Sequence, residues 1–198
     1  ILKEKISIIS NKPQTTRDKI QIIYNDNDSQ IIFIDTPGIQ TPQNKLQEKL
    51  FEFSEESLKE SDIVTFVVDN SLEIGRLDMF DDIIGISALA NDNIDQYIER
   101  IKEMLDEGPA YYDRDMITDK SERFIVSEII REKALNNLSA EVPHGIAVRI
   151  DNFKQRENKN LIDIDATIIV EKNSHKEIVI GKAGSMVKKI GMDSRKEI

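Results

Sequence analysis

The apolar run Ile31-Ile32-Phe33-Ile34 leads into Asp35-Thr36-Pro37-Gly38, which puts a carboxylate at the end of a strand and a glycine three residues on. Ligands of α/β sheets bind beyond the carboxyl ends of the strands. An aspartate there can hold Mg²⁺, through water because that ion keeps much of its hydration. The glycine lets the backbone turn tightly and offer its N–H to a terminal phosphate. A bare DxxG is common by chance, and a plain turn after a strand reads equally well. Upstream lies Lys12-Pro13-Gln14-Thr15-Thr16-Arg17-Asp18. A threonine hydroxyl on such a loop completes a Mg²⁺ shell only while a γ-phosphate is present, which makes the loop a switch; alone, it is a polar turn. Ile86-Ser87-Ala88-Leu89 can offer backbone groups to a purine base, a weak signal by itself. Near the end, Gly181-Lys182-Ala183-Gly184 sits between two apolar helical segments. Glycines allow close approach to nucleic-acid phosphates, and a following helix presents free N–H groups. Lys182, Lys188 and Lys189 add charge, and Ile180 with Val187 can wall an apolar groove for bases.

These residues need elements to place them. Residues 5–10, 19–25 and 30–35 read as strands, the last two separated by the turn-prone Asn25-Asp26-Asn27-Asp28-Ser29. Residues 46–59 follow helical spacing, with Leu46, Leu50, Phe53 and Leu58 on one face. Residues 63–68 form a continuous β-branched and aromatic run, as expected of a strand buried on both faces; residues 83–86 resemble another. Residues 94–105 return to helical period. Strands alternating with helices predict a doubly wound α/β sheet. Gly108-Pro109 breaks the pattern, and residues 110–115 look like a linker. Beyond it, residues 121–138 form a helix that Ser121 can cap, with Ile125, Ile129, Leu135 and Leu138 as apolar positions. Residues 142–152 and 161–171 alternate as strands. Residues 176–180 then lead into the glycine pair and a further helix, so the second half is an α+β module.

Composition narrows the class. The chain has 198 residues with a net charge of −10, no cysteine and two histidines, His144 and His175, far apart in sequence. Disulfide frameworks, thiolate metal sites and cysteine catalysis are excluded. His144 reads as a strand-entry residue, His175 as a turn residue, the acidic run 48–60 as a solvated helix face, and Tyr111-Tyr112 as packing for the linker. No apolar run reaches the length of a membrane span and no secretory signal opens the chain, so the expectation is a soluble intracellular protein. The charge is uneven. Residues 1–114 carry 12 basic against 23 acidic side chains, residues 115–198 carry 15 against 14. A polyanion is tolerated only in the second half.

The order TTRD, then DTPG ending a strand, then SAL after a later strand is that of switch I, switch II and the base-contact loop in translational-type GTPases. The chain resembles the bacterial Era family over residues 6–20 (ISIISNKPQTTRDKI), 31–42 (IIFIDTPGIQTP), 62–69 (DIVTFVVD) and 115–151, the last being the most specific stretch. The likeness covers nearly the whole chain. Helix, strand, strand, helix, GxxG, helix is the order of a type II KH domain, which clamps about four nucleotides of single-stranded RNA. The resemblance implies a P-loop-NTPase-like doubly wound α/β G domain (residues 1–109), a linker (110–120) and a smaller α+β type II KH domain (121–198). It further implies a GTP- and GDP-binding, Mg²⁺-using GTPase of ribosome assembly that binds the 3′ end of 16S rRNA and the small ribosomal subunit. Such a protein works in the cytoplasm, and the likeness allows peripheral association with the inner face of the cell membrane. In that reading Thr16, with Thr15 as the alternative, senses γ-phosphate and Mg²⁺. Asp35 holds Mg²⁺ through water and Gly38 contacts the γ-phosphate. Thr36 and Pro37 border the nucleotide, and Ser87, Ala88 and Leu89 seat guanine. Ile180, Gly181, Lys182, Ala183, Gly184, Val187, Lys188 and Lys189 form the RNA site.

Two family features are missing. The G-x-x-x-x-G-K-[ST] phosphate loop is expected ahead of Ile1, and the N-K-x-D loop that selects guanine is not found. Between Asp69 and Ser87 there is no room for that loop and its crossover helices, which places a seam near residues 76–79; a final strand after the last helix is also expected. Two rivals stay open: a nucleotide-independent RNA-binding protein with a decayed G domain, and a GTPase whose KH-like module binds protein. A further departure bears on rate. Ile39 stands where Ras-like proteins carry the glutamine that orients attacking water, so intrinsic hydrolysis is expected to be slow, with Gln40 no substitute. Gln40→Ala should change the single-turnover rate less than tenfold, about 1.4 kcal/mol of barrier; a larger loss would give Gln40 the missing role.

Overall fold

The computed structural model describes residues 5–10, 15–37, 45–68, 79–138, 145–157 and 159–198. The first half is organised on a hairpin of β1 (Ile20–Asn25) and β2 (Gln30–Asp35), antiparallel in a register running from Ile20 opposite Asp35 to Asn25 opposite Gln30. Its turn is built by Asp26, whose Oδ1 accepts from the N–H groups of Asp28 and Ser29 and from the Ser29 hydroxyl, a carboxylate doing locally what a backbone carbonyl does in a turn. Lys102 binds the other oxygen at 3.0 Å and, with those backbone donors, holds the Asp26 carboxyl well below the usual carboxylate range.

Helix α1 (Lys45–Glu60) follows β2, and α2 (Ile94–Met104) lies on the hairpin. There Ile98 and Ile101 pack with Ile31, joined by Tyr24, Phe33, Ile63, Tyr97 and Leu105. The free edge of β1 is taken by residues 117–119: the Ile23 N–H donates to Ile117 O at 2.9 Å, Gln21 N–H to Asp119 Oδ1 at 3.1 Å, and the Thr118 hydroxyl to Gln21 O at 2.8 Å. The stretch expected to link two domains is thus bonded along the hairpin. Tyr112 packs there as expected, its hydroxyl on Gln21 Oε1, but Tyr111 is 81% exposed.

Several elements differ from the sequence reading. Residues 5–10, 63–68 and 83–86 belong to no strand, and Val64, Phe66 and Val67 are exposed where burial on both faces was expected. A central parallel strand needs a neighbour on each side, and no described strand pairs with either run. In α1 the exposed glutamates form the solvated face that was expected. Leu50 is buried, but Leu58 is exposed and Ser54 and Ser57 are buried instead. The face that carries Leu50, Ser54 and Ser57 is the buried one, and there the Ser54 hydroxyl meets Pro37 O at 2.8 Å, beyond the end of β2. No helix among the described residues is long and apolar enough to cross a membrane.

The second half runs α3 (Glu122–Asn137), β3 (Ile146–Gln155), β4 (Ile162–Val170), α4 (Asn173–Ile180), a turn of 3-10 helix at Lys182–Gly184, and α5 (Ser185–Arg195). Ser121 caps α3 by accepting from Phe124 N–H, as its residue type predicts. Strands β3 and β4 are antiparallel, with one extra residue, Asp151, bulged between the pairs Ile150–Ala166 and Asn152–Asp165. Their inner face packs Val148, Ile150, Phe153, Ile164, Ile168 and Val170 onto a core of Val126, Ile130, Ala134, Leu138, Ile146, Val179 and Ile190. A fully buried isoleucine such as Ile146 or Ile190 contributes about 2–3 kcal/mol. His175, expected in a turn, lies instead in the first turn of α4 and is buried, with Nδ1 unpartnered among the described residues; His144 lies outside the described residues.

Helix α3 has two working faces. Val126, Ile130 and Ala134 enter the core just described, while Ile125, Glu128, Ile129 and Glu132 line a pocket shared with Lys5, Ile6, Ser7 and Ile8. Glu132, 2% exposed, receives Lys5 at 2.6 Å, Lys133 at 2.8 Å and the Ile9 N–H at 3.0 Å. Glu197 from the chain end also joins Lys5 and Lys133. Burial pushes the Glu132 carboxyl up, but those donors outweigh it and the net shift is downward. A lowered folded-state pKa gives stability that is present above the unfolded value, near pH 4.5, and is lost as pH falls through the folded one. Glu132→Gln should therefore cost about 2 kcal/mol at pH 7 and flatten the loss of stability below pH 4.5, as read by urea denaturation at pH 7 and across pH 4.5–3. Equal pH slopes for wild type and variant would show that the network carries none of the acid sensitivity.

Candidate functional site

At the end of β2 three oxygen-bearing side chains meet. The Asp35 Oδ2 accepts from the Thr16 hydroxyl at 3.4 Å and, more closely, from the Ser7 hydroxyl. Position follows from sequence: the hairpin register sets Asp35 opposite Ile20, just after the threonines, and Pro37 is pinned through Ser54 of α1. A carboxylate with two hydroxyls is a hard, all-oxygen set, which suits Mg²⁺ completed by water and phosphate oxygens rather than a softer metal. Among the described residues no group of three or more His, Cys, Asp or Glu is placed to hold a metal ion. Thr36 is half-buried and Pro37 buried, while Gly38 lies outside the described residues.

Thr15, through its backbone, and Arg17, through its side chain, are bonded to the second half of the chain. The Thr15 carbonyl accepts from Arg131 of α3 at 2.6 Å, and Arg17 Nη1 donates to Ile146 O at 2.7 Å. Burial, and then the neighbouring Arg131 charge, lower the pKa of the Arg17 guanidinium. Ser87, Ala88 and Leu89 form a closed turn of their own: Ser87 and Asp92 exchange backbone hydrogen bonds at 3.1 and 3.0 Å, and the Ser87 hydroxyl accepts from Ala90 N–H. Asn93 braces the turn by donating to Gly85 O at 2.9 Å, and Leu89 is fully exposed. No hydrogen bond among the described residues joins this turn to Thr16 or Asp35. Ser7, Ser54 and Arg131 were missed by sequence reasoning. Ser7 carried a signal, a polar residue between Ile6 and Ile8, whereas a charged residue on an amphipathic helix reads as surface.

The second site is the glycine turn between α4 and α5. Gly181 has φ 72° and ψ 172°, Ala183 φ 51° and Gly184 φ 76°. A Cβ on Gly181 would stand 2.7 Å from Met186 Cβ and 2.8 Å from its backbone nitrogen. The turn is sealed by Gly184 N–H on Gly181 O at 3.1 Å and by Gly181 N–H on Glu177 O at 2.8 Å. Lys182, Lys188 and Lys189 are exposed and form no ion pair among the described residues, and Ile180 and Val187 are 41% and 42% exposed beside them. The exposed lysines and the exposed Ile180 and Val187 thus flank the glycine turn in the chain.

Residues 1–118 match the family model described as 50S ribosome-binding GTPase, and residues 141–198 that of the KH domain. The GTPase Era of Caldicellulosiruptor saccharolyticus is 46% identical over 237 residues, covering 98% of this chain and 79% of that relative. The chain belongs to the Era family of GTPases. Era of Clostridium tetani is 44% identical, covering all of this chain and 81% of its own length. A solved structure described as Era in complex with MgGDPNP and nucleotides 1506–1542 of 16S ribosomal RNA superposes with a TM-score of 0.89 at 33% identity, over 98% of this chain and 80% of that one. An Aquifex aeolicus Era variant bound to GDP and AlF4⁻ matches with the same values. The expected α/β G domain followed by an α+β KH domain is the architecture of this family. The aligned span of 237 positions exceeds the 198 residues of the chain, so within it the Era relative carries residues this chain does not.

The backbone of the glycine turn sets a graded test. Gly184→Ala meets no neighbour and should cost about 1 kcal/mol, the ordinary penalty of left-handed backbone. Gly181→Ala combines glycine-only backbone with a clash against Met186 and should cost about 3 kcal/mol. Urea denaturation of both variants checks the ranking; equal costs would mean that the turn adapts.

Proposed function

We propose that this Era-family chain hydrolyses GTP with Mg²⁺ and binds the 3′ end of 16S rRNA, acting as an assembly factor on the small ribosomal subunit. The supporting observation is that the all-oxygen site at Asp35 and Thr16 and the cationic glycine turn at residues 181–184 occur in one chain. Residues 1–109 form the G domain, 110–120 the linker and 121–198 the KH domain. Bound Mg²⁺ would neutralise charge on the phosphates of GTP. Asp35 would hold it through water, and the Thr16 hydroxyl, with Thr15 the alternative, would sense the γ-phosphate and Mg²⁺. Gly38 contacts the γ-phosphate; Thr36 and Pro37 border it. Ser87, Ala88 and Leu89 seat the guanine. On the RNA side the backbone of Gly181, Ala183 and Gly184 approaches phosphates, Lys182, Lys188 and Lys189 neutralise them, and Ile180 and Val187 receive bases. One family description names the 50S ribosome while the solved relative holds 16S rRNA; the small-subunit reading follows the bound RNA. The place of action is the cytoplasm, with peripheral contact at the inner face of the cell membrane secondary.

Two variants separate the activities. Asp35→Ala should lower GTP turnover a hundredfold or more and leave RNA affinity within twofold. Replacing Lys182 and Ala183 together by aspartate should weaken RNA binding by about 2–4 kcal/mol and flatten its salt dependence, with GTP turnover retained. Aspartate tolerates the left-handed backbone at residue 183, so folding should survive, which circular dichroism checks. Unchanged turnover in Asp35→Ala, or unchanged RNA affinity in a folded double variant, would refute the corresponding half.

A further inference from the structure

The stretch that carries Thr16 is gripped from the RNA-binding half of the molecule. Arg131 on α3 is 3% exposed; its Nη2 donates to the Thr15 carbonyl at 2.6 Å. Its Nε and Nη2 also meet the two carboxylate oxygens of Glu128. A guanidinium held in that two-pronged way has one orientation, so the carbonyl it grips has one position. On the other side of Thr16, Arg17 donates to Ile146 O at the entry of β3. Thr16 is therefore flanked by two anchors on α3 and β3 while its own hydroxyl reaches Asp35. Arg131 Nη1 is buried with no hydrogen-bond partner among the described residues.

We propose that Arg131 is a positioning residue for GTP hydrolysis, supplied by the RNA-binding half of the chain: by fixing the Thr15 carbonyl it fixes where the Thr16 hydroxyl lies relative to Asp35. The inference rests on the roles given above to Thr16 and Asp35. Arg131 acts through a single peptide unit. The Thr15 carbonyl carbon is bonded to the Thr16 nitrogen, so rotation of that unit swings the threonine. Misplacement of a reacting group by about 1 Å is enough to cost on the order of a hundredfold in rate.

The test uses the whole protein and the variants Arg131→Gln, Arg131→Lys, Glu128→Gln and Asp35→Ala. Four quantities are read: single-turnover GTP hydrolysis, GDP affinity, amide hydrogen exchange of residues 15–18 without nucleotide, and the melting temperature. Arg131→Gln should slow hydrolysis at least tenfold, keep GDP affinity within twofold and speed exchange in residues 15–18. Arg131→Lys should recover part of the rate, because an ammonium can reach the carbonyl but cannot hold Glu128 by two bonds. Glu128→Gln, at a less buried position, should shift rate and exchange in the same direction by less; it decides the question if the Arg131 variants do not fold. A folded Arg131→Gln with wild-type rate and exchange overturns the proposal. So does a parallel loss of rate and GDP affinity, which is general disruption. If Asp35→Ala itself turns over normally, the reading of the nucleotide site fails; if Asp35→Ala is inactive while Arg131→Gln is normal, only the positioning role fails.

Discussion

Helix α3 is buried from two sides, and the charges on it are the constraint around which the structure is arranged. One face supplies Val126, Ile130 and Ala134 to the core under the β3–β4 sheet; the other meets residues 5–8 and carries Glu128, Arg131 and Glu132 into places where water is scarce. Buried charge is tolerated only when each group finds an opposite charge or strong hydrogen bonds. Lys5, Lys133 and the Ile9 N–H serve Glu132, while Glu128 serves Arg131. These pairs stabilise little beyond offsetting desolvation. They do dictate which segments must lie against α3, and those are the segments leading to Thr16 and the proposed nucleotide site.

Much of the fold was readable from sequence. The second strand of the hairpin, 30–35, matches its predicted bounds, because the Asp26–Ser29 turn chemistry and the aliphatic run leave little freedom. The helix at 122–137 was placed by Ser121 and by apolar spacing. Reading failed where neighbours decide. The runs at 63–68 and 83–86 have strand composition, but a strand exists only with a partner. Leu58 has the right spacing for a core face, yet the buried face of α1 is the one that carries Ser54, bonded to Pro37, and Ser57. His175 was assigned to a turn because polar residues surround it, whereas α4 begins just before it.

The candidate sites divide in the same way. Asp35 and Thr16 were legible because their chemistry is local: a strand end, a carboxylate, a hydroxyl. The glycine turn was legible because only glycine accepts the backbone at residue 181. Ser7 and Arg131 were not, since their roles come from contacts across more than twenty and more than a hundred residues of chain. Nor does charge counting alone find the proposed RNA surface. The second half is nearly neutral, and its exposed Lys182, Lys188 and Lys189 stand out only because they flank the glycine turn and the exposed Ile180 and Val187.

The bulge at Asp151 has its own consequence for this hairpin. Along β3 the core-facing residues are Ile146, Val148 and Ile150, and then Phe153, so the single unpaired residue exchanges odd for even. Strict alternation would have turned Phe153 to solvent and brought Asn152 inward. The extra residue thus works as a parity switch. It lets the distal half of a ten-residue strand, whose sequence is out of phase with the proximal half, share the same hydrophobic face. Asp151 stays outside, tied to Arg149 and Thr167, and Phe153 lies beneath the Arg123 guanidinium of α3, 5.8 Å from the ring centre.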